Sequence, residues 1–260
     1  MPDERAELAS IAASLRAHLE LQWEAGTTGI PRAPKHAAAA PNPSPSAGPN
    51  PPPPPAPVPS SAPTPEALRS LPVLAEQVSG CTKCGLSKTR TKTVFARGNP
   101  AAALCFVGEA PGADEDAQGL PFVGRAGQLL DKMIAAMGLS PERDVYVCNI
   151  LKCRPPDNRK PTPDETATCI PYLHDQLANV SPKVIVALGN TAAQALLDTK
   201  LGITRMRGQW KLYRGTLVMP TYHPSYLLRE GPAQRNAKQE AWDDLQKVMK
   251  ELGLSPPKKT

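Results

Sequence analysis

Long apolar runs are missing from this 260-residue chain, and without one no helix can span a bilayer. The opening MPDERAELAS is acidic and leads into no apolar stretch with a cleavage site, so it does not read as a secretory leader. A cytoplasmic protein is expected. Structural disulfides are disfavoured in that compartment, and clustered cysteines more often bind metal or do redox chemistry. Aromatic residues are scarce as well, and with only three Phe in the chain, one that stands among glycines is conspicuous.

What is abundant is proline, and it is not spread evenly. Fifteen of the 32 prolines lie between Pro31 and Pro65, beside eight alanines. Such a segment cannot bury a core, so residues 26–65 read as a disordered, polyproline-like linker. Ahead of it, Leu8, Ile11, Leu15, Leu19 and Trp23 recur at helical spacing and mark one amphipathic helix within residues 1–25, too short to be stable alone. Residues 66–260 are left for folding, enough for one sizeable core. Charge divides the same way. Residues 1–65 carry a net −1, so the folded part of this +6 chain carries +7, a balance that suits a polyanionic partner.

Within the folded part, apolar runs alternate with helical periodicity. Strands are expected at Leu104–Val107, Val145–Ile150, Val184–Leu188 and Thr216–Pro220. Helices are expected at Arg125–Met137, at Pro163–Ala178 behind a Thr162/Glu165 capping box with a kink at Pro171, at Thr191–Leu197 and at Gln234–Leu252. The alternation predicts an α/β fold, a three-layer α/β/α sandwich with a four-stranded parallel central sheet, and places any ligand beyond the carboxyl ends of the strands.

The loop after the first of those strands is the most distinctive stretch: GEAPGADEDAQGLPFVGRAG, Gly108 to Gly127. Five glycines allow close backbone approach to a ligand, and they are interleaved with Glu109, Asp114, Glu115, Asp116 and Phe122. Of the six cysteines, Cys105 and Cys148 fall inside apolar strands and read as small core residues. Cys81 and Cys84 form a CxxC, Cys153 follows the second strand and Cys169 lies in the next helix. Four thiolates complete a shell for tetrahedral zinc or for an iron-sulfur cluster, and spacing does not separate the two.

GEAPGADEDAQGLPFVGRAG, VYVCNILKCRPPDNRKPTPDE and TYHPSYLLR, in this order and with these cysteines, resemble the family 4 (thermostable-type) uracil-DNA glycosylases of the uracil-DNA glycosylase superfamily. The resemblance covers roughly Gly80 to Gly253. It implies excision of uracil from single- or double-stranded DNA, and a structural [4Fe-4S] cluster held by Cys81, Cys84, Cys153 and Cys169. A monomer is expected.

That activity requires the nucleotide to leave the stack, the uracil edge to be read, and an anionic leaving base to be stabilised. Phe122 is the candidate stacking platform. Asn149 can donate to the base O4 and accept from N3–H, a pairing that cytosine opposes. His223 can donate to O2 as charge develops there. Leu227 and Leu228 are expected to be exposed wedges at the strand opening. Arg154, Asn158, Arg159 and Arg229 are candidate DNA contacts, and Lys160, Arg205 and Arg207 further candidates for phosphates. For water activation, the best-known branch of the superfamily has an Asp where this chain has Ala110, which leaves Ala110 as a base-contacting position only. Glu109 and Glu115 remain as carboxylates near the base, Glu115 resembling the family residue close to C5. Asp114 and Asp116 are given no role.

Two other classes share the fold. One traps uracil-DNA covalently through the His of an inserted RRIH-type loop, but DNRKPTPDE here has no His. The other is a DNA-binding module, such as one associated with a phage polymerase, that keeps the fold without turnover.

Overall fold

The four apolar runs pair as parallel strands in a computed structural model of the chain, which describes residues 70–255. The expected helix of residues 1–25 and the linker of residues 26–65 lie outside the described residues. In chain order the elements are helix α1 (Leu71–Ser79), a 3-10 turn at Gly85–Lys88, strand β1 (Ala96–Gly98), β2 (Leu104–Gly108), α2 (Ala113–Gln118), α3 (Arg125–Ala136) and β3 (Val145–Asn149). A second 3-10 turn at Pro156–Asn158 leads to α4 (Pro163–Val180), β4 (Val184–Leu188), α5 (Gly189–Leu197) and α6 (Ile203–Met206). Strands β5 (Lys211–Tyr213) and β6 (Thr216–Thr221) and helices α7 (Pro224–Leu227) and α8 (Pro232–Glu251) complete them.

The sheet order is β1-β3-β2-β4-β6-β5, and the central four strands are mutually parallel. This bears out the α/β class and the parallel core of the sheet, with one correction: the sheet has six strands, not four. The additions are β1 and β5, three-residue edge strands paired antiparallel to β3 and β6. Runs as short as Ala-Arg-Gly and Lys-Leu-Tyr carry no legible period, and short edge strands are a usual way to blunt a sheet's open margins.

Alternate residues of the central strands feed two cores. Cys105, Val107, Cys148, Ile185 and Val218 pack with Leu173 and Leu177 of α4 and Ala192, Ala193 and Leu196 of α5. Leu104, Phe106, Val147, Val186 and Met219 pack with Leu130 and Ile134 of α3 and Leu245 and Val248 of α8. These two faces make the three layers. Burial of each Val, Leu, Ile, Phe or Met side chain among them stabilises the fold by about 1.5–3 kcal/mol. The α4 helix starts where the capping box predicts, with Thr162 Oγ1 accepting from Glu165 N and Glu165 Oε2 accepting from Thr162 N. It runs as one helix through Pro171.

The chain leaves β2 towards β3 on one side and returns to β4 on the other. A crevice therefore opens between the carboxyl ends of β2 and β4, where a parallel sheet of this kind binds ligands. Among the described residues no helix is long and apolar enough to cross a membrane.

Candidate active site

A cavity of about 310 Å³ occupies that crevice. Glu109, Ala110 and Gly112 line it from the loop after β2, Asn149 from the end of β3, Gly189 and Asn190 from the start of α5, and His223 and Ser225 from the loop after β6. Glu115, Phe122, Asn158 and Arg159 complete the wall. Six residues singled out in the sequence, Glu109, Ala110, Glu115, Phe122, Asn149 and His223, are thus brought together from three separate stretches of the chain.

Phe122 is 6% exposed, belongs to the core beneath the cavity and also forms part of its wall. Its φ is 56°, a conformation that a bulky residue rarely adopts. The surroundings hold it there. A Cβ on Gly108 would lie 2.5 Å from the ring, and one on Gly127 would lie 1.8 Å from the Phe122 carbonyl oxygen, so both positions admit only glycine. Glu115 closes the loop from the other side: its Oε1 accepts from the N–H groups of Val123 and Gly124, both at 2.9 Å, and its Oε2 accepts from Gly112 N at 3.0 Å. The sequence marks Glu115 as a carboxylate near the base. Its three backbone partners also make it the clasp of the loop. The Glu109 carboxylate, in contrast, has no hydrogen-bond partner among the described residues and faces the same cavity.

Asn149 is 2% exposed, and its Oδ1 has no hydrogen-bond partner. A buried acceptor left unmatched is costly, typically about 1–3 kcal/mol, and in native proteins it needs a reason. Opposite lies His223, whose ring centroid is 5.7 Å from that of Phe122. His223 caps α7: its Nδ1 accepts from Ser225 N at 3.1 Å and lies 2.8 Å from Ser225 Oγ. With Nδ1 accepting, the ring proton belongs on Nε2. Burial pushes the imidazole down to about 4, with the Glu115 carboxylate pulling the other way, so at neutral pH the ring is an uncharged Nε2–H donor. Gly189, at φ +86°, makes room for it, since a Cβ there would lie 2.9 Å from the His223 Cβ. Ser225 was missed in the sequence. Its signal is local: a His-Pro pair at a helix start puts the N–H two residues on within reach of the His ring.

A sequence model described as the Uracil DNA glycosylase superfamily matches residues 95–246. The chain belongs to that superfamily. It is 48% identical over 161 residues to the type-4 uracil-DNA glycosylase of Thermotoga maritima, covering 60% of this chain and 82% of the relative. The type-4 uracil-DNA glycosylase of Archaeoglobus fulgidus is 42% identical over 200 residues, 73% of this chain and 97% of its own length. That of Sulfurisphaera tokodaii is 42% identical over 201 residues, 74% of this chain and 88% of its own.

Around this superfamily cavity the other expected residues divide. Asn158 and Arg159 reach its rim, Asn158 accepting from Arg154 Nε at 2.8 Å and Arg159 gripping Glu165 through both of its terminal nitrogens. That grip holds the Glu165 carboxyl down at about 2. Leu228 and Arg229 line a separate hollow with Arg235 and Lys238, and Arg229 lies 5.7 Å over the Tyr226 ring. Two expectations are corrected. Leu227 is not exposed: at 2% it packs with Ala237 and Ala241 of α8, because the short helix α7 turns that side chain inward. Arg207 is not available to phosphate either. It donates to both oxygens of the fully buried Asp244, which also accepts from Thr221 at the end of β6.

The remaining four cysteines meet elsewhere. Cys81, Cys84, Cys153 and Cys169, all free thiols, line one small cavity with Arg90 and Lys152. Arg90 Nη1 donates to Cys153 Sγ at 3.2 Å, and Lys152 N donates to Cys169 Sγ at 3.3 Å. Among the described residues no group of three or more His, Cys, Asp or Glu side chains is arranged to hold a single metal ion. Cys105 and Cys148 are fully buried in the sheet. Asp116, for which no role is expected from its sequence context, is 4% exposed and accepts from Thr91 N and Lys92 N, binding α2 to the segment that follows the CxxC.

Proposed function

We propose that this chain flips uracil out of DNA and hydrolyses its N-glycosidic bond, releasing free uracil and leaving an abasic site. The observation that carries the reading is Asn149, which lines the cavity and whose buried Oδ1 has no partner. Uracil offers the missing donor in its N3–H, and the Asn149 amide N–H meets O4. Cytosine offers a bare N3 and an amino group in those places, so it leaves the same acceptor unmatched and adds a clash of donors. Phe122 stacks on the base. Across the ring, the neutral Nε2–H of His223 donates to O2, where negative charge accumulates as the bond to the sugar breaks. A neutral imidazole is too weak an acid to hand its Nε2 proton to the base, so it stabilises a uracil anion as the leaving group.

For the water, the free carboxylate of Glu109 is the better candidate of the two, because both oxygens of Glu115 are engaged by backbone N–H groups. Ala110 supplies only its backbone. Asn158 and Arg159 at the rim, Arg154 behind Asn158, and Leu228 and Arg229 beside α7 meet the DNA strand.

Cys81, Cys84, Cys153 and Cys169 hold a [4Fe-4S] cluster on this reading. Four thiols around one cavity, two of them accepting N–H groups, suit a thiolate-ligated cluster. Tetrahedral zinc would need all four sulfurs at about 2.3 Å from one centre, and iron, sulfide and zinc analysis of the purified protein separates the two. Bound there, the cluster cross-links the CxxC segment to the loop after β3 and to α4.

The test is a uracil-containing oligonucleotide incubated with the protein and then cleaved with alkali at abasic sites. Strand scission at uracil, with free uracil released and a cytosine control intact, is expected. Metal-loaded, folded protein that leaves the uracil strand whole would overturn the reading. His223→Ala is expected to lower the single-turnover rate by about a hundred to a thousand fold while uracil-DNA binding persists.

A further inference from the structure

Lys152 is 1% exposed, and the sequence gives no reason for a lysine there. Burying an ammonium on a long stem costs desolvation and rotamer freedom, and fully buried lysines are rare unless paired. Its Nζ donates at 2.6 Å to the backbone carbonyl of Asn149. That carbonyl and the N–H of Ile150 belong to one peptide group, and Ile150 N donates to Gly108 O at 2.9 Å. The peptide plane that follows Asn149 is thus gripped at both ends, one by the neighbouring strand and the other by the lysine. Fixing that plane fixes ψ of Asn149, and with it the direction in which its side chain leaves the strand.

The same residue is anchored at its own backbone. Lys152 N donates to Cys169 Sγ at 3.3 Å, its carbonyl accepts from Val94 N at 2.8 Å, and its neighbour is Cys153. One residue therefore touches both the cysteine cavity and the end of the strand that carries the amide in the active-site wall.

We propose that Lys152 is a positioning residue that aims the uracil-reading amide of Asn149 by clamping the peptide group behind it, and that it ties this amide to the cysteine shell. The inference rests on the role given to Asn149 above. Lys152 touches no substrate, and its effect on excision runs through Asn149.

A double-mutant cycle tests it, using the full-length, metal-loaded protein. Lys152→Met keeps the apolar stem and removes the donor. It is expected to retain iron and sulfide at the wild-type level, to lose about ten to a hundred fold in single-turnover rate, and to bind uracil-DNA with less discrimination against the cytosine oligonucleotide. In an Asn149→Ala background the same substitution should cost less than about threefold, because the group it aims is gone. Losses that multiply in the double variant would overturn the inference, as would a Lys152→Met protein with wild-type rate and discrimination. If Lys152→Met loses its metal or does not fold, Lys152→Leu, which also lacks the donor, takes its place in the cycle and is held to the same criterion. Metal loss in both variants would make Lys152 a holder of the cluster and overturn it too. Wild-type protein on the same oligonucleotide separates the two readings: no excision by the wild type removes the proposed function, whereas equal excision by wild type and Lys152→Met removes only the clamp.

Discussion

Glu115→Gln separates a structural from a chemical carboxylate. In the native loop three backbone N–H groups point at Glu115, two at Oε1 and one at Oε2. An amide oxygen can serve one side only. Its nitrogen, itself a donor, then faces a backbone donor on the other, so one charge-assisted bond is lost and one N–H is left unmatched. At about 1.5–3 kcal/mol for a bond to a charged group and about 1–3 kcal/mol for the unmatched donor, the loss is roughly 2.5–6 kcal/mol. For a domain of this size that lowers the melting midpoint by roughly 5–25 °C. The loop set free is the one holding Phe122 at φ 56°, so excision slows along with the loss of stability. Scanning calorimetry and single-turnover excision on the same preparation read both effects. An unchanged midpoint with a rate more than about a hundredfold down would show that Glu115 acts on the reacting atoms, and the clasp argument would be wrong.

Other outcomes follow from the same geometry. Because the folded imidazole of His223 sits near 4 against an ordinary 6.5, the folded state binds fewer protons between those values. Its contribution to stability is complete above about pH 6.5 and is lost as the pH falls towards 4, while the single-turnover rate stays level through pH 6.5. A break in the rate near 6.5 that disappears in His223→Ala would refute the neutral-donor reading. Cys153→Ser should lose iron and sulfide whereas Cys148→Ser keeps them, and equal loss in metal analysis would show that the wrong thiols were chosen. Leu227→Ala should cost about 2–5 kcal/mol in denaturant unfolding, as expected for a packed core leucine, with Leu228→Ala near neutral. Equal stability of the two would put Leu227 back on the surface. Gly189→Ala sets a Cβ against His223 at a left-handed backbone position, and single-turnover kinetics should register the displaced ring as a slower rate.

The parts of this molecule that repeat a local rule were legible in its sequence. Continuous apolar runs gave β2, β3, β4 and β6, and Thr162 with Glu165 marked the first turn of α4. Edge strands of three residues have no period to read. Leu227 was misread because exposure at a helix start depends on where the next helix lies, and α8 begins only after Gly231. The cavity residues were identifiable by type, since a Phe among glycines, an Asn at a strand end and a His before Pro all lie in or beside the segments that follow the strands. What each does to its neighbours was not. The grip of Glu115 on three N–H groups, the Ser225 contact that sets the His223 tautomer and the Lys152 bond to Asn149 depend on coordinates a few tenths of an ångström apart, and spacing along a chain does not contain them.

The contact of Gly108, Phe122 and Gly127 limits how this pocket can change over generations. Any side chain at Gly108 meets the aromatic ring, and any at Gly127 meets the Phe122 backbone itself, so neither site tolerates a first step on its own. Shrinking Phe122 removes only half of the obstacle at Gly108, where an added Cβ would also lie 2.4 Å from Asn149 Oδ1, and none of the one at Gly127, where the obstacle is main chain. A lineage that reshapes the floor for a bulkier base therefore has Phe122 as its entry point, while Gly108 stays tied to the amide that reads the base and Gly127 stays fixed until the whole turn is rebuilt.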